Sequence, residues 1–374
     1  MHTDFLSLAA PGVRAISPYQ PGKPVSELER EYGITHAIKL ASNENPLGAS
    51  SRAVEAVRAA AGDLARYPDG NGFALKSALA AHHGVDTGQL TLGNGSNDIL
   101  ELIARAFLVP GAEAVYSAHA FAVYPLATLA AGGSGVEVAA APGWGHDLDA
   151  MRAAVNARTR IVFVANPNNP TGTGHGSAEL EAFLAALPQE VVVVVDEAYH
   201  EYASDLWRGE GDFPDASRWL QRHPNLVVTR TFSKLYGLAA LRVGYALSHP
   251  QVADLLNRVR QPFNVNAPAQ AAALAALGDP AHVEASLRCN RDGMRYLETE
   301  LTALGLDCIP SLGNFLSFDT GRDAGAVYQA LLAKGVIVRP IANYAMPGFL
   351  RVTVGTESEN VRFVSALKEV VDVL

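Results

Sequence analysis

Residues 191–202 read VVVVVDEAYHEY and predict a buried strand that ends abruptly in acidic and aromatic side chains. A continuous run of valines is typical of a parallel strand that is covered on both faces. Asp196 and Tyr199 follow at the carboxyl end of this strand, which is the edge where open α/β sheets bind ligands. A carboxylate there can keep a heterocyclic nitrogen protonated. The stretch therefore predicts an α/β fold with a binding site near Asp196.

A second apolar strand is predicted upstream, in residues 161–172 (IVFVANPNNPTG). It ends in a turn rich in Asn, Pro and Gly, which puts Asn168 at the same sheet edge as Asp196. An ordinary strand-to-helix loop explains the prolines and Gly172 equally well, but it does not need two adjacent asparagines. The structural and functional interpretations of Asn168 both stay open.

Residues 231–245, TFSKLYGLAALRVGY, place Lys234 in an apolar segment with Arg242 eight residues later. Desolvation lowers the pKa of a lysine and makes its neutral amine available for Schiff-base chemistry with a carbonyl cofactor. Most lysines instead lie at the surface with the stem covering apolar neighbours. Lys234 taken alone does not decide the function.

A glycine-rich turn opens an amphipathic helix in residues 92–105 (LGNGSNDILELIAR). Ser96 and Asn97 fall where the first N–H groups of the helix point outward and bind phosphate, with the helix dipole adding to the attraction. Simple capping of the helix by Ser96 or Asn97 is the alternative interpretation.

Together these segments supply a lysine, a carboxylate, a phenol and a phosphate cradle in the order that a pyridoxal phosphate site needs. The chain resembles the fold type I pyridoxal phosphate enzymes and, within them, the histidinol-phosphate aminotransferase family. The resemblance runs almost end to end. Its motifs, besides those quoted above, are YQPGKP (19–24), LASNENPLG (40–48), YPDGNGFALK (67–76), HAFAVY (119–124), NF (314–315), RPIANY (339–344) and LRVTVG (350–355).

The resemblance implies a role for each residue around the cofactor ring. Lys234 forms the Schiff base and shuttles the proton at the substrate α-carbon, while Asp196 pairs with the pyridinium nitrogen. Tyr199 and Asn168 hydrogen-bond the phenolic oxygen of pyridoxal 5'-phosphate. Phe121 stacks on the ring, at a position where many relatives carry tyrosine.

The cofactor phosphate is implied to rest on the amides of Ser96 and Asn97, with Ser233 and Arg242 adding a hydroxyl and a guanidinium. Tyr67 is implied to reach this phosphate from the other subunit. The resemblance therefore predicts a homodimer with composite active sites.

Substrate recognition is implied to lie with Arg351 and Arg339, with Tyr19 and Asn343 as weaker candidates. The predicted reaction interconverts L-histidinol phosphate and 2-oxoglutarate with imidazole acetol phosphate and L-glutamate in histidine biosynthesis. It is a ping-pong reaction through the Lys234 Schiff base. Arg351 would grip the phosphate of one substrate and a carboxylate of the other. An aromatic amino acid aminotransferase and a threonine-phosphate decarboxylase on the same fold stay open as alternatives.

Alternating helical and strand patterns predict a mostly parallel sheet sandwiched by helices in a large domain, residues 36–270. Residues 271–374 predict a smaller α+β domain. Residues 1–35, rich in proline, predict an extended arm with at most a short helix near residues 27–33. The resemblance implies that this arm packs with the small domain and the partner subunit.

Composition excludes several classes of protein. The chain has 374 residues, 49% of them hydrophobic, and a net charge of −9, which argues against nucleic acid or an anionic membrane as main partner. Cys289 and Cys308 show no paired spacing, the first ten residues lack the basic region of a signal peptide, and no apolar run approaches about 20 residues. No metal-ligand pattern occurs. We expect a cytoplasmic enzyme without a bound metal.

Overall fold

The computed structural model describes residues 3–18 and 20–373, which form a large mixed sheet flanked by helices and a smaller antiparallel sheet. The strands in chain order are β1 (Ile38–Lys39), β2 (Leu90–Gly93), β3 (Glu113–Ser117), β4 (Ser134–Val138), β5 (Thr159–Ala165), β6 (Val192–Asp196), β7 (Leu226–Thr231), β8 (Gly244–Ser248), β9 (Cys308–Ile309), β10 (Phe315–Asp319), β11 (Val336–Ile337), β12 (Arg339–Pro340) and β13 (Phe349–Thr353).

The α-helices in chain order are α1 (Phe5–Leu8), α2 (Pro11–Ala15), α3 (Val25–Tyr32), α4 (Ser51–Ala60), α5 (Phe73–His83), α6 (Ser96–Phe107), α7 (Val123–Ala130), α8 (Leu148–Ala154), α9 (Ser177–Ala186), α10 (His200–Leu206), α11 (Pro250–Val259), α12 (Ala267–Leu277), α13 (Pro280–Ala303), α14 (Ala324–Ala333) and α15 (Glu357–Val371). Short 3₁₀ turns lie at Ala61–Asp63, Thr87–Gln89, Ala216–Trp219, Ala239–Leu241 and Ala342–Tyr344.

The large sheet has seven strands in the order β2-β8-β7-β6-β5-β3-β4. Strands β3 to β7 run parallel, and β8 is antiparallel to both β7 and β2. Every residue of β6 is buried, as its valine run predicted. In register, Asp196 at the end of β6 lies beside Ala165 of β5 and Thr229 of β7. The predicted, mostly parallel α/β sheet is confirmed.

Strand β4 has no counterpart among the predicted strands. Its sequence SGVEV carries two valines, and four of its five residues are at least partly exposed. It is one of the two edge strands of the sheet, so one side of its backbone has no neighbouring strand, and its mostly exposed residues give a weak apolar pattern.

The N-terminal arm is more helical than expected. The prediction that prolines keep it extended is wrong for α1 and α2, while the expected short helix is present as α3. Pro11 stands in the first turn of α2. A backbone N–H in the first turn has no partner within the helix, so proline loses no hydrogen bond there. The Asp4 side chain caps α1 by accepting from the N–H of Leu6 at 3.1 Å.

The C-terminal region forms an antiparallel sheet in the order β12-β13-β10-β9, covered by α13, α14 and α15. Its core contains Leu297, Phe318, Leu331, Leu350 and Phe363. Strand β1 pairs in parallel with β11, which ties the chain just after the arm to this region.

The domain limits 36–270 and 271–374 stay a prediction. The alanines of α12, including Ala272 and Ala273, belong to the same core as Val193 of β6 and pack against α4. This packing favours a boundary between α12 and α13. Within the described ranges, no helix combines the length and low charge of a membrane span.

Candidate active site

A cavity of about 210 Å³ is lined by residues at the carboxyl ends of β5, β6 and β7 and by residues of β12 and β13. Most of the side chains predicted for the site meet there. They are Ser96, Asn97, Phe121, Asp196, Tyr199, Ser233, Lys234, Arg242, Arg339 and Arg351. Their roles stay predictions, but all ten contribute to one enclosed space.

Lys234 follows β7 and presents its amine to this cavity. Burial, with the positive charge of Arg351 as the next cause, lowers the pKa of Lys234 to about 7. Its Nζ donates a hydrogen bond to the carbonyl oxygen of Ser42 at 2.9 Å and lies 5.7 Å from the centre of the Tyr199 ring. Near neutral pH a large fraction of this amine is neutral and nucleophilic.

Asp196 lies at the end of β6, and its side chain is held from two directions. Thr229 donates to Oδ1 at 2.9 Å and the Tyr124 hydroxyl donates to Oδ2 at 3.0 Å. Burial raises the pKa of Asp196, and the two donors act against that rise. None of the ion pairs formed among the described residues includes Asp196. A cationic group in the cavity would find a carboxylate already oriented toward a partner.

Tyr124 was not predicted as a site residue. It is fully buried, stacks on Phe163 with ring centres 4.7 Å apart, and meets the edge of Phe121. Its position in the run 119–124 gave no hint of the contact with Asp196, because that contact spans 72 residues.

The start of α6, with Ser96 and Asn97, lines part of the cavity. Gly95, with φ +85, is the cap residue and supplies no side-chain hydrogen bond, so capping by Ser96 or Asn97 is not what the helix uses. A Cβ at Gly95 would lie 2.3 Å from Nη2 of Arg242, and a Cβ at Gly244 would lie 2.5 Å from the backbone nitrogen of Ser96. The close packing of Arg242 against the helix start therefore needs Gly95, and the close approach of β8 to the helix start needs Gly244.

Arg242 itself has a left-handed backbone, with φ +59. Its Nη1 donates to Ser233 Oγ at 3.3 Å and to the carbonyl of Ala239 at 3.1 Å. A guanidinium, a hydroxyl and the first N–H groups of α6 thus converge, which is the composition of a phosphate site.

Arg351 and Arg339 also line the cavity, and both side chains are buried. Arg351 donates through Nη1 to Oδ1 of Asn169 and through Nη2 to the carbonyl of Ala41 at 2.9 Å. Arg339 donates through Nη2 to the carbonyl of Gln20 at 2.6 Å.

Three of the other predicted residues do not line the cavity. Asn168 is buried beside the cavity, where its Nδ2 donates to the carbonyl of His119 and to Thr171. Asn343 is exposed and is not among the lining residues. Tyr67 is 81% exposed and stacks on Phe263 with ring centres 4.6 Å apart. Tyr19 lies outside the described residues.

For both Asn168 and Asn343, the next residue in the chain lines the cavity and the predicted residue does not. Asn169 and Tyr344 line the cavity. Asn169 binds Arg351, and the carbonyl of Tyr344 lies 2.6 Å from Nδ1 of His119. A loop sequence does not reveal which of two adjacent side chains faces inward, since no regular period applies there.

Comparison with known proteins assigns the class. Residues 35–367 match the family described as Aminotransferase class I and II. The chain is 62% identical over 371 residues to Histidinol-phosphate aminotransferase 2 of Pseudomonas aeruginosa, covering 98% of this chain and 99% of that protein.

Solved structures agree. Histidinol-phosphate aminotransferase from Sinorhizobium meliloti, in complex with pyridoxal-5'-phosphate, superposes with a TM-score of 0.88 at 30% identity over 98% of each chain. Aspartate aminotransferase from Thermus thermophilus with maleate superposes with a TM-score of 0.82 at 26% identity over 98% of this chain and 99% of that one.

The chain belongs to the class I and II aminotransferases. Within that class its full-length similarity is to the histidinol-phosphate aminotransferases, which confirms the resemblance seen in the sequence.

Proposed function

We propose that the protein is a pyridoxal phosphate-dependent transaminase that interconverts L-histidinol phosphate and 2-oxoglutarate with imidazole acetol phosphate and L-glutamate in histidine biosynthesis. One observation carries the proposal. The Lys234 amine, with its pKa lowered to about 7, shares a cavity with the start of α6 and with the buried guanidiniums of Arg339 and Arg351.

The cavity fits the cofactor at both of its charged ends. Asp196 is a buried carboxylate with a raised pKa, and a protonated ring nitrogen would give it the positive partner that lowers its energy. The start of α6, Ser233 and Arg242 together match a phosphate dianion. Phe121 also lines the cavity and offers a face for the ring.

When bound, pyridoxal phosphate supplies a carbonyl for the substrate amine and a protonated ring that withdraws electrons from the α-carbon. The protein then has to move one proton, the proton at the substrate α-carbon. Lys234 Nζ is suited to take it and give it back, because a pKa near 7 lets the amine act as base and its ammonium act as acid at neutral pH. The Ser42 carbonyl gives this amine a fixed hydrogen-bond acceptor.

The two arginines account for the substrate class. Histidinol phosphate carries a phosphate where an amino acid carries its α-carboxylate, and a guanidinium binds either group through paired hydrogen bonds. Arg351 is therefore proposed to bind the phosphate of one substrate and a carboxylate of the other in turn, with Arg339 adding a second positive charge. This alternation is what a ping-pong reaction requires of one site.

Two assignments move by one residue in this proposal. Asn169 replaces Asn168 as the amide beside the phenolic oxygen, and Tyr344 replaces Asn343 beside the substrate. Asn169 also accepts a hydrogen bond from Arg351, so the amide proposed for the cofactor contacts the arginine proposed for the substrate.

A homodimer with composite sites remains part of the proposal. Its support is the position of Tyr67, which is 81% exposed and is held flat on Phe263 rather than placed in the cavity of its own chain. An exposed stacked tyrosine suits a contact made across a subunit interface. A cytoplasmic location is likewise proposed, and the two unpaired cysteines Cys289 and Cys308 suit a reducing compartment.

The deciding experiment follows the visible absorbance of the protein loaded with pyridoxal phosphate. Addition of histidinol phosphate without an acceptor is expected to remove that absorbance, and 2-oxoglutarate is expected to restore it. Bleaching by phenylalanine but not by histidinol phosphate would instead identify an aromatic amino acid aminotransferase. Release of carbon dioxide from threonine phosphate would identify a decarboxylase.

A further inference from the structure

Asn43 occupies a demanding position in the cavity wall. It is 1% exposed, and its backbone is left-handed, with φ +55. Asparagine tolerates this conformation better than most residues, but it is still uncommon outside glycine. Asn314 holds the backbone there by donating from Nδ2 to the Asn43 carbonyl at 3.1 Å.

The hydrogen bonds of Asn43 fix the direction of the Tyr199 hydroxyl. The backbone N–H of Asn43 can only donate, and it lies 2.9 Å from Oγ1 of Thr353. Oγ1 therefore accepts this bond, and its own hydrogen goes to Oδ1 of Asn43 at 3.2 Å. With Oδ1 committed to Thr353, the amide nitrogen Nδ2 must face Tyr199.

Nδ2 donates to the Tyr199 oxygen at 2.9 Å. An amide nitrogen has no free lone pair, so Tyr199 cannot donate back to it. The hydroxyl hydrogen of Tyr199 is left to point into the cavity that Tyr199 lines. In the reverse amide orientation Thr353 Oγ1 would accept from both Asn43 donors, and its own hydroxyl hydrogen would lose the Oδ1 acceptor, which is costly for a buried group.

We propose that Asn43 is a positioning residue that, oriented by Thr353, makes Tyr199 a hydrogen-bond donor toward the phenolic oxygen of the cofactor. The inference rests on the proposed cofactor site. It adds Asn43 as the residue that decides whether the Tyr199 hydroxyl donates to the cofactor oxygen. Thr353 lies on β13 two residues after Arg351. The strand that carries the substrate arginine therefore also sets the tyrosine.

A donor at the phenolic oxygen of the cofactor would stabilise the negative charge on that oxygen. The stabilisation would be strongest when the nitrogen of the Lys234 Schiff base carries no proton. Loss of the donor should raise the pH midpoint of the absorbance change of the bound cofactor. A hydrogen bond to a charged group is worth enough for a rise of about one pH unit.

Two substitutions separate hydrogen-bond direction from packing. Asn43→Asp keeps the size and shape but replaces the donor with an acceptor, so the Tyr199 hydrogen turns away from the cofactor. Asn43→Ala removes the side chain but leaves Tyr199 able to point either way. The proposal expects the larger rise of the pH midpoint in Asn43→Asp, whereas a role in packing alone predicts the larger change in Asn43→Ala.

The added charge of Asn43→Asp is controlled in a Tyr199→Phe background, where the charge remains but the hydroxyl is gone. The Asn43→Asp effect is expected to shrink there to less than half. An undiminished shift in that background, or a larger shift in Asn43→Ala than in Asn43→Asp, would overturn the proposal. Cofactor affinity, measured by fluorescence titration, is recorded for every variant as a second readout.

Thr353 gives an independent pair of variants if Asn43→Asp folds poorly. Thr353→Val removes the hydroxyl that orients the amide and is expected to raise the pH midpoint, while Thr353→Ser keeps the hydroxyl and should leave it near the wild-type value. Equal pH midpoints for these two variants would contradict the proposal that Thr353 orients the Asn43 amide. Failure of histidinol phosphate to react would affect only the substrate assignment, since these midpoints are measured without substrate.

Discussion

Arg339 and Arg351 lie directly opposite each other across the antiparallel strands β12 and β13, with only 8% and 5% of their surfaces exposed. Like charges in facing positions of a sheet destabilise it, and burial increases the cost. The register of two short strands thus brings two guanidiniums together in the wall of the cavity, where the proposed dianionic substrate would offset their repulsion.

Arg351→Ala is expected to lower kcat/KM for both histidinol phosphate and 2-oxoglutarate. Loss of a buried, charge-assisted contact costs about 3 kcal/mol, or roughly a hundredfold. Steady-state kinetics with each substrate varied in turn measures the two values. Arg152→Ala, an exposed arginine on α8, serves as the control. A loss confined to 2-oxoglutarate would show that the phosphate is bound elsewhere.

Lys234→Met is expected to stabilise the protein when no cofactor is bound. Folding lowers the pKa of Lys234 to about 7 from its ordinary 10.5, so the unfolded chain holds a proton that the folded chain releases between these values. The free energy of unfolding therefore rises with pH across this window. The loss of unfolding free energy caused by burying the charged lysine is present in full below pH 7 and is absent above about pH 10.5.

Calorimetry should accordingly show a larger gain in Tm for Lys234→Met at pH 6 than at pH 10. Lys368→Met, on an exposed position of α15, is the matched control and should change Tm equally at both pH values. An equal gain at the two pH values for Lys234→Met would mean that the lysine is not desolvated in the folded protein.

The residues that the sequence could predict lie where a regular element meets a motif. Asp196 is the last residue of the valine strand β6, Tyr199 follows that strand, and Lys234 follows β7. Their common sheet edge could therefore be predicted from the strands and the side-chain chemistry. Arg351 lies within β13. Each owes its place to local structure that has a clear pattern.

The contribution of residues 41–43 to the site could not be predicted from the sequence in this way. Their contributions to the site are the carbonyls of Ala41 and Ser42, which accept from Arg351 and Lys234, and the Asn43 amide. Carbonyl oxygens are present in every residue and leave no mark in the sequence. The Asn43–Thr353 contact joins residues 310 apart, and only the tertiary fold brings them together.

Tyr124→Phe is expected to weaken cofactor binding about tenfold. The change removes the hydroxyl that donates to Asp196 at 3.0 Å but keeps the ring stacked on Phe163. Without this donor the pKa of Asp196 rises further and its carboxylate holds a protonated ring nitrogen less well.

Equilibrium dialysis with pyridoxal phosphate in a Lys234→Ala background measures the Tyr124→Phe effect on noncovalent binding alone. Tyr296→Phe on α13 is the control, because this tyrosine is partly buried in the small domain. Unchanged affinity in Tyr124→Phe would show that Thr229 alone is sufficient to hold Asp196.

Mixed dimers test the composite site most directly. Lys234→Ala is expected to abolish turnover, and Tyr67→Ala is expected to reduce it by weakening the phosphate contact. If Tyr67 serves the partner's cavity, a dimer of one Lys234→Ala chain and one Tyr67→Ala chain contains one site with both residues intact, because that site takes its lysine from one chain and its tyrosine from the other. Turnover of the mixed, differently tagged and co-purified dimer should then approach half of the wild-type value. If Tyr67 serves its own chain, every site in the mixture lacks one of the two residues, and turnover should not exceed half of that of Tyr67→Ala alone.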